Sequence, residues 1–161
     1  MSTRFDSHRR RRRNLLAALS CVALAGALAG PAGAALGDRA ESVAPDAAQF
    51  RAQARVSAGP AFTVHELHTP TGTVIREFVA ASGQVFAVSW RGPFKPDLRS
   101  LLGNHYLRYA SAPRTAGSTR NRLLIDQPDL VVHSGGHMRY YSGLAYLPQQ
   151  LPAGVTQEQL Q

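Results

Sequence analysis

The stretch AFTVHELHTPTGTVIREFVAASGQVFAVSW, residues 61–90, decides the fold. Val, Ile, Thr, Phe and Trp dominate it, and turn signals fall at Pro70-Thr71-Gly72 and Ser82-Gly83. Branched and aromatic residues between such turns read as strands. Pro-Thr-Gly suits a three-residue hairpin loop, because proline presets φ and glycine accepts the left-handed position. That loop sets Thr69 opposite Thr73, Leu67 opposite Ile75, and Glu66 opposite Arg76 as a cross-strand charge pair. A third strand, Gly83 to Trp90, puts Phe86, Val88 and Trp90 on one face if it alternates strictly. The stretch predicts a three-stranded antiparallel meander. Whether Phe78 or Val79 joins that face depends on a one-residue register choice.

On the N-terminal side, residues 38–56 carry Ala, Gln and Arg and read as a helix, with Ala47, Phe50 and Ala54 as a thin apolar stripe. Glu77 reads as a strand charge facing Arg76 or solvent. On the C-terminal side the period changes. Leu98, Leu101, Leu102, His105 and Tyr109 recur at three and four, which predicts a helix after Pro96. Gly103 is a point where it stops or weakens, leaving Tyr106 to Tyr109 as helix or strand. Residues 113–121 have loop chemistry, and Arg114, Arg120 and Arg122 read as solvated surface. A closing β-hairpin spans Leu123 to Tyr146, and a polar, proline-punctuated tail follows. The class expected is α+β: an antiparallel meander sheet, one or two helices packed on one face, and a C-terminal β-hairpin.

The first 34 residues have a different character. Arg9 to Arg13 form a positive block, Leu15 to Ala29 are apolar, and Pro31 precedes Ala32-Gly33-Ala34. This is the layout of a secretory signal, with cleavage expected after Ala34. The apolar run is Ala- and Gly-rich and shorter than the ~20 residues that span a bilayer, so no stable membrane span is expected after cleavage. Residues 1–34 would then be a signal peptide and residues 35–161 a single exported domain, periplasmic or extracellular. The segment holds six of the 18 basic residues and one of the ten acidic ones, so the net charge falls from +8 to about +3 on its removal. No basic stripe is left for nucleic acid. Cys21, the only cysteine, leaves too, and with it any disulfide, thiolate ligand or cysteine nucleophile.

The chemistry-bearing stretch is VVHSGGHMRYYSG, residues 131–143. If Ser134-Gly135-Gly136 is the hairpin loop, His133 faces His137 across it, and two opposed imidazoles can share a metal ion. Asp129, Glu66, His65 or His105 would supply a third ligand. A loop of Gly135-Gly136 alone sends the two histidines to opposite faces. Nothing else resembles a known catalytic arrangement: G-x-S-x-G, P-loop, G-x-G-x-x-G and H-E-x-x-H are all missing from the sequence. Ser134, His133 and Asp129 make a poor triad, because neighbouring strand residues face opposite ways.

Three blocks, LGDRAESV, GTVIREFVAASGQVFAVSWRGPFKPDLRSLLGNHY and VVHSGGHMRYYSGLAYLPQQLPAGV, resemble a bacterial family of small exported proteins, Domain of Unknown Function 2844. The resemblance implies export and a single domain. It implies no activity, cofactor or catalytic residue. The function expected is that of a non-catalytic envelope protein binding another exported protein or a small ligand. The alternative is a metal-binding protein or hydrolase built on His133 and His137.

Overall fold

A computed structural model describes residues 35–161. The region read as signal peptide lies outside them. One seven-stranded antiparallel sheet organises the chain, in the order β1-β2-β3-β4-β7-β6-β5. The strands are β1 (Gln53–Ala58), β2 (Phe62–His68), β3 (Val74–Ala80), β4 (Val85–Gly92), β5 (Arg122–Gln127), β6 (Leu130–His137) and β7 (Tyr140–Tyr146). Two meanders, β1 to β4 and β5 to β7, meet where β7 pairs with β4. The sheet outweighs the helices: α1 (Val43–Gln49), α2 (Leu98–Leu102) and α3 (Tyr106–Ser111), the last two joined by a 3-10 turn.

The first hairpin has the expected register, with Leu67 opposite Ile75 and Glu66 opposite Arg76. The third strand departs from strict alternation. The β3–β4 register shifts between Phe78 and Val79, so that Phe78 pairs Ala87 while Val79 pairs Val85. Phe86 is the extra residue of this bulge. It joins Phe78 on one face, while Val88 and Trp90 stay on the other with Val79. The expected sharing of one face by Phe86, Val88 and Trp90 is thereby corrected.

Each face has its own core. Under the helices, Leu67, Ile75, Val88, Trp90, Ile125 and Val132 pack with Leu36, Leu98, Leu101 and Leu102. Asp97 caps α2 by accepting from the Arg99 backbone N–H at 2.9 Å; such a cap contributes ~1 kcal/mol. On the opposite face Phe62, Phe78 and Phe86 meet edge-on or tilted, with centroids 5.6 to 6.4 Å apart. The C-terminal tail folds back over this cluster and buries Leu160 in it.

Other expectations need correction. The helix read over residues 38–56 ends at Gln49, and Gln53–Ala58 is an edge strand paired to β2. Arg51, at φ 49°, turns the chain between them. Helix propensity in this Ala-rich stretch is weak, and the free edge of β2 offers a full ladder of hydrogen bonds. Phe50 and Ala47 do pack on the core. Tyr106 to Tyr109 are helical, past a turn at Gly103, where a side chain would strike Ala35 at 2.3 Å. The closing hairpin is three strands, and β6 runs straight through Ser134-Gly135-Gly136. Its turn to β7 is Met138-Arg139, with Arg139 at φ 63°. Gly136 serves close approach: a Cβ there would lie 2.6 Å from the Tyr140 carbonyl oxygen.

Candidate ligand-binding trough

The face that carries the phenylalanine cluster is apolar only at one end. Beyond Leu144 the alternation of side chains turns polar, and a trough of about 500 Å³ opens there. Two cross-strand rows make it. The first runs Arg76, Ser89, Leu144, His133, Leu124, and the second runs Val74, Arg91, Ser142, Gly135, Arg122. Directly paired residues share a face, so each row lies on one side of the sheet. In the second row the small residues Ser142 and Gly135 sit between the long basic Arg91 and Arg122. Arg91 and Arg122 stand three strands apart, about 14 Å between backbones. The Ser142–Gly135 pair forms the floor between them. Asn121, Gln157 and Gln161 add amide groups, and no Asp or Glu is among the lining residues.

The cations differ in their freedom. Arg76 Nε donates to Glu66 Oε2 at 2.7 Å. Glu66 Oε1 meets His68 Nε2 at 2.6 Å. The Arg76 hydrogen bond, with the His68 contact behind it, holds the Glu66 carboxyl below its usual range against a smaller opposing effect of burial. Arg91 and Arg122 are exposed. Neither forms an ion pair among the described residues. His133 is fixed from the tail: the Gln157 amide nitrogen donates to its Nδ1 at 3.2 Å. The Gln157 oxygen in turn accepts from the Tyr146 hydroxyl at 3.4 Å. Burial raises the Tyr146 pKa, aided by Asp126 and Glu158, so it remains a donor at neutral pH.

The two histidines singled out in the sequence are not opposed. His133 pairs Leu144 and His137 pairs Tyr140. They project from the same face of β6, four residues apart, or about 13 Å along the strand. His137 stacks instead on Tyr140, with centroids 6.0 Å apart and planes inclined by 26°. The candidate third ligands are dispersed. Glu66 holds Arg76, Asp129 pairs with Arg108, and His65 lies on the helix-side face opposite Glu77. His105 packs under Gly37, where an added Cβ would lie 2.9 Å from its Nε2. Burial lowers the pKa of both His65 and His105. Among the described residues, no group of three His, Cys, Asp or Glu side chains is arranged to hold a metal. Ser134 and His133 fall on opposite faces, as their adjacency requires.

Sequence reasoning missed two things here. Arg122, read as solvated surface, faces the trough. Glu77, read as a solvent-facing strand charge, is fully buried against the equally buried Asp46 of α1. Desolvation, then the Asp46 charge and a hydrogen bond to it, push the Glu77 pKa up to about 9. Two buried carboxylates cannot both ionise side by side without repulsion, so the pair favours a state in which one keeps its proton. The trough itself left a faint signal: Arg76, Ser89, Arg91 and Ser142 alternate with apolar neighbours on strands whose other face is core.

The family model described as "Protein of unknown function (DUF2844)" matches residues 32–160. The chain belongs to that family. No curated protein and no solved structure matches it. In this DUF2844 protein the matched region takes in every strand of the sheet and all of the trough lining except Gln161. Among the described residues no helix is long and apolar enough to cross a membrane.

Proposed function

We propose that this DUF2844 protein is an exported, non-catalytic binding module that holds a small anionic ligand in the trough. One observation carries the reading: Arg91 and Arg122, without acidic partners among the described residues, flank a Ser142–Gly135 floor in a trough whose described lining has no Asp or Glu. Guanidinium groups are the usual donors to carboxylates and phosphates, and a partly enclosed site strengthens their pull. The volume of about 500 Å³ suits a small organic molecule rather than a bare ion. Gln157 holds His133 in place at the trough, as a preorganised site requires. Export is supported by the Arg9–Arg13 block, the apolar run and the Ala32-Gly33-Ala34 site, with the family match starting at residue 32.

The test is a calorimetric titration of residues 35–161 with a panel of mono- and dicarboxylates, phosphate and neutral analogues. Anions are expected to bind and neutral analogues not. The double variant R91Q/R122Q is expected to lose that binding while keeping its unfolding midpoint. Equal binding by charged and neutral ligands, or an unchanged double variant, overturns the reading. Sequencing the N-terminus of the protein secreted by its own host tests export: Ala35 is expected first, and an intact Met1 in the cytoplasm refutes it.

A further inference from the structure

The trough does not stop at the arginine row. Side chains on one face of a strand repeat every two residues, about 6.6 Å apart. On β6 and β7 the same face therefore carries three successive rows: His133 with Leu144, Gly135 with Ser142, then His137 with Tyr140. The third row is the stacked imidazole–phenol pair, and Tyr140 is 47% exposed. Along the face the order is thus a basic, hydroxyl-lined cleft and then an aromatic platform.

From this order we infer that the ligand is an acidic oligosaccharide, at least two uronate-type rings long, lying from the arginine pair onto the His137–Tyr140 stack. The inference rests on the trough being an anion site. Sugar rings present apolar C–H faces that pack on aromatic rings, and a rim of hydroxyls for side-chain donors and acceptors. Both needs are met in sequence here. Ser89, Ser142 and Asn121 serve hydroxyls, Arg91 and Arg122 serve the first carboxylate, and Tyr140 the next ring. A phosphate ester is a poorer match. Phosphate sites draw on free backbone N–H groups at helix ends or nests. Here the floor is strand, and its backbone groups are committed to the sheet ladder. A peptide would add to a sheet edge rather than lie across the side chains of central strands.

The experiment titrates ¹⁵N-labelled residues 35–161 with trigalacturonate, galacturonate, maltotriose, inorganic phosphate and adenosine monophosphate. Trigalacturonate is expected to bind roughly tenfold more tightly than galacturonate, through its second contact region. It should also shift the amides of His137 and Tyr140, which galacturonate leaves in place. Maltotriose should not bind. The variant Tyr140→Ala, at an exposed hairpin tip, should weaken trigalacturonate about fivefold and leave galacturonate unchanged. The shift map on the unmodified protein stands by itself if that variant misfolds. Tighter binding of phosphate or the nucleotide overturns the saccharide assignment and leaves the anion site standing. So does a trimer no tighter than the monomer, or one that leaves His137 and Tyr140 unshifted. If no anion binds, both readings fall.

Discussion

Gly143 is a position where one hydrogen is all that fits. An added Cβ would lie 2.1 Å from Cζ2 of Trp90, a ring fully within the helix-side core. Overpacking of this kind typically costs ~1–3 kcal/mol, and here the obstacle is a rigid indole rather than a flexible chain end. Gly143→Ala should therefore lower the urea midpoint, and Trp90, the single tryptophan, reports it directly by fluorescence. An unchanged midpoint would mean that the ring is not seated on Gly143. Nothing in the sequence discloses this contact, since the two residues are neighbours only because β4 pairs β7. Glu77 makes a second case at the same scale. Its folded pKa is raised to about 9 from an ordinary 4.5. Between those values the folded protein holds a proton that the unfolded chain has lost. Its contribution is thus full below about pH 4.5 and declines as pH rises, with a slope of at most ~1.4 kcal/mol per pH unit. By about pH 9 it is gone. Glu77→Gln stays neutral beside Asp46 at every pH, so its stability relative to the natural protein should grow from pH 6 to pH 9. A constant difference across that range, measured by urea unfolding, would show that Glu77 is already ionised in the folded state.

At the scale of elements, the two hairpins show what a turn reveals. The β2–β3 register is legible because Pro70-Thr71-Gly72 encodes its own loop, and the Thr69 backbone N–H donates to the Thr73 carbonyl at 2.9 Å across it. The β6–β7 turn is hidden because the glycines that signal a loop are used elsewhere. They lie inside the strand, where Tyr140 and Tyr141 crowd Gly136, while Arg139 takes the left-handed turn position that glycine would fill more easily. The shared face of His133 and His137 follows from strand parity alone, but their separation depends on where that turn falls. The tail was read as polar, and its role is set by one residue. Leu160 is buried in the phenylalanine cluster, and a capping box between Thr156 and Gln159 shapes the final turn. That turn presents Gln157 to His133. Leu160→Ala should cost ~2–5 kcal/mol, the usual range for a buried leucine. It should also free Gln157, so the His133 imidazole resonances should shift in an NMR titration. Loss of stability without any change at His133 would separate the tail's packing from its hold on the trough.

For the whole molecule, the sheet is covered unevenly, and this shapes how it opens. That the chain builds an antiparallel sheet is legible from period alone. The order in which its strands assemble is not, because the β4–β7 junction joins residues 49 to 59 positions apart and depends on both cores closing together. That junction lies at the centre: Val88, Ala87, Leu144 and Ala145 are buried, with core on both sides. β1 is the opposite case. All six of its residues are exposed, and among the described residues only β2 pairs with it. Amide exchange follows local stability, which ranges from nearly nothing in frayed edges to the global value in a core. The amides of β4 and β7 that face one another should exchange only by global unfolding, with the free energy given by urea. The β1 amides bonded to β2 should exchange far sooner, by local fraying that leaves the trough intact. Ligand in the trough should then slow exchange in β4 to β7 and leave β1 unaffected, because Arg91, Ser142, Gly135 and Arg122 all lie on β4 to β7. If β1 is as protected as β4, its edge is covered in solution by something that holds its free hydrogen bonds. If ligand slows β1 as much as β7, the sheet opens as one unit and the two meanders have no separate stability.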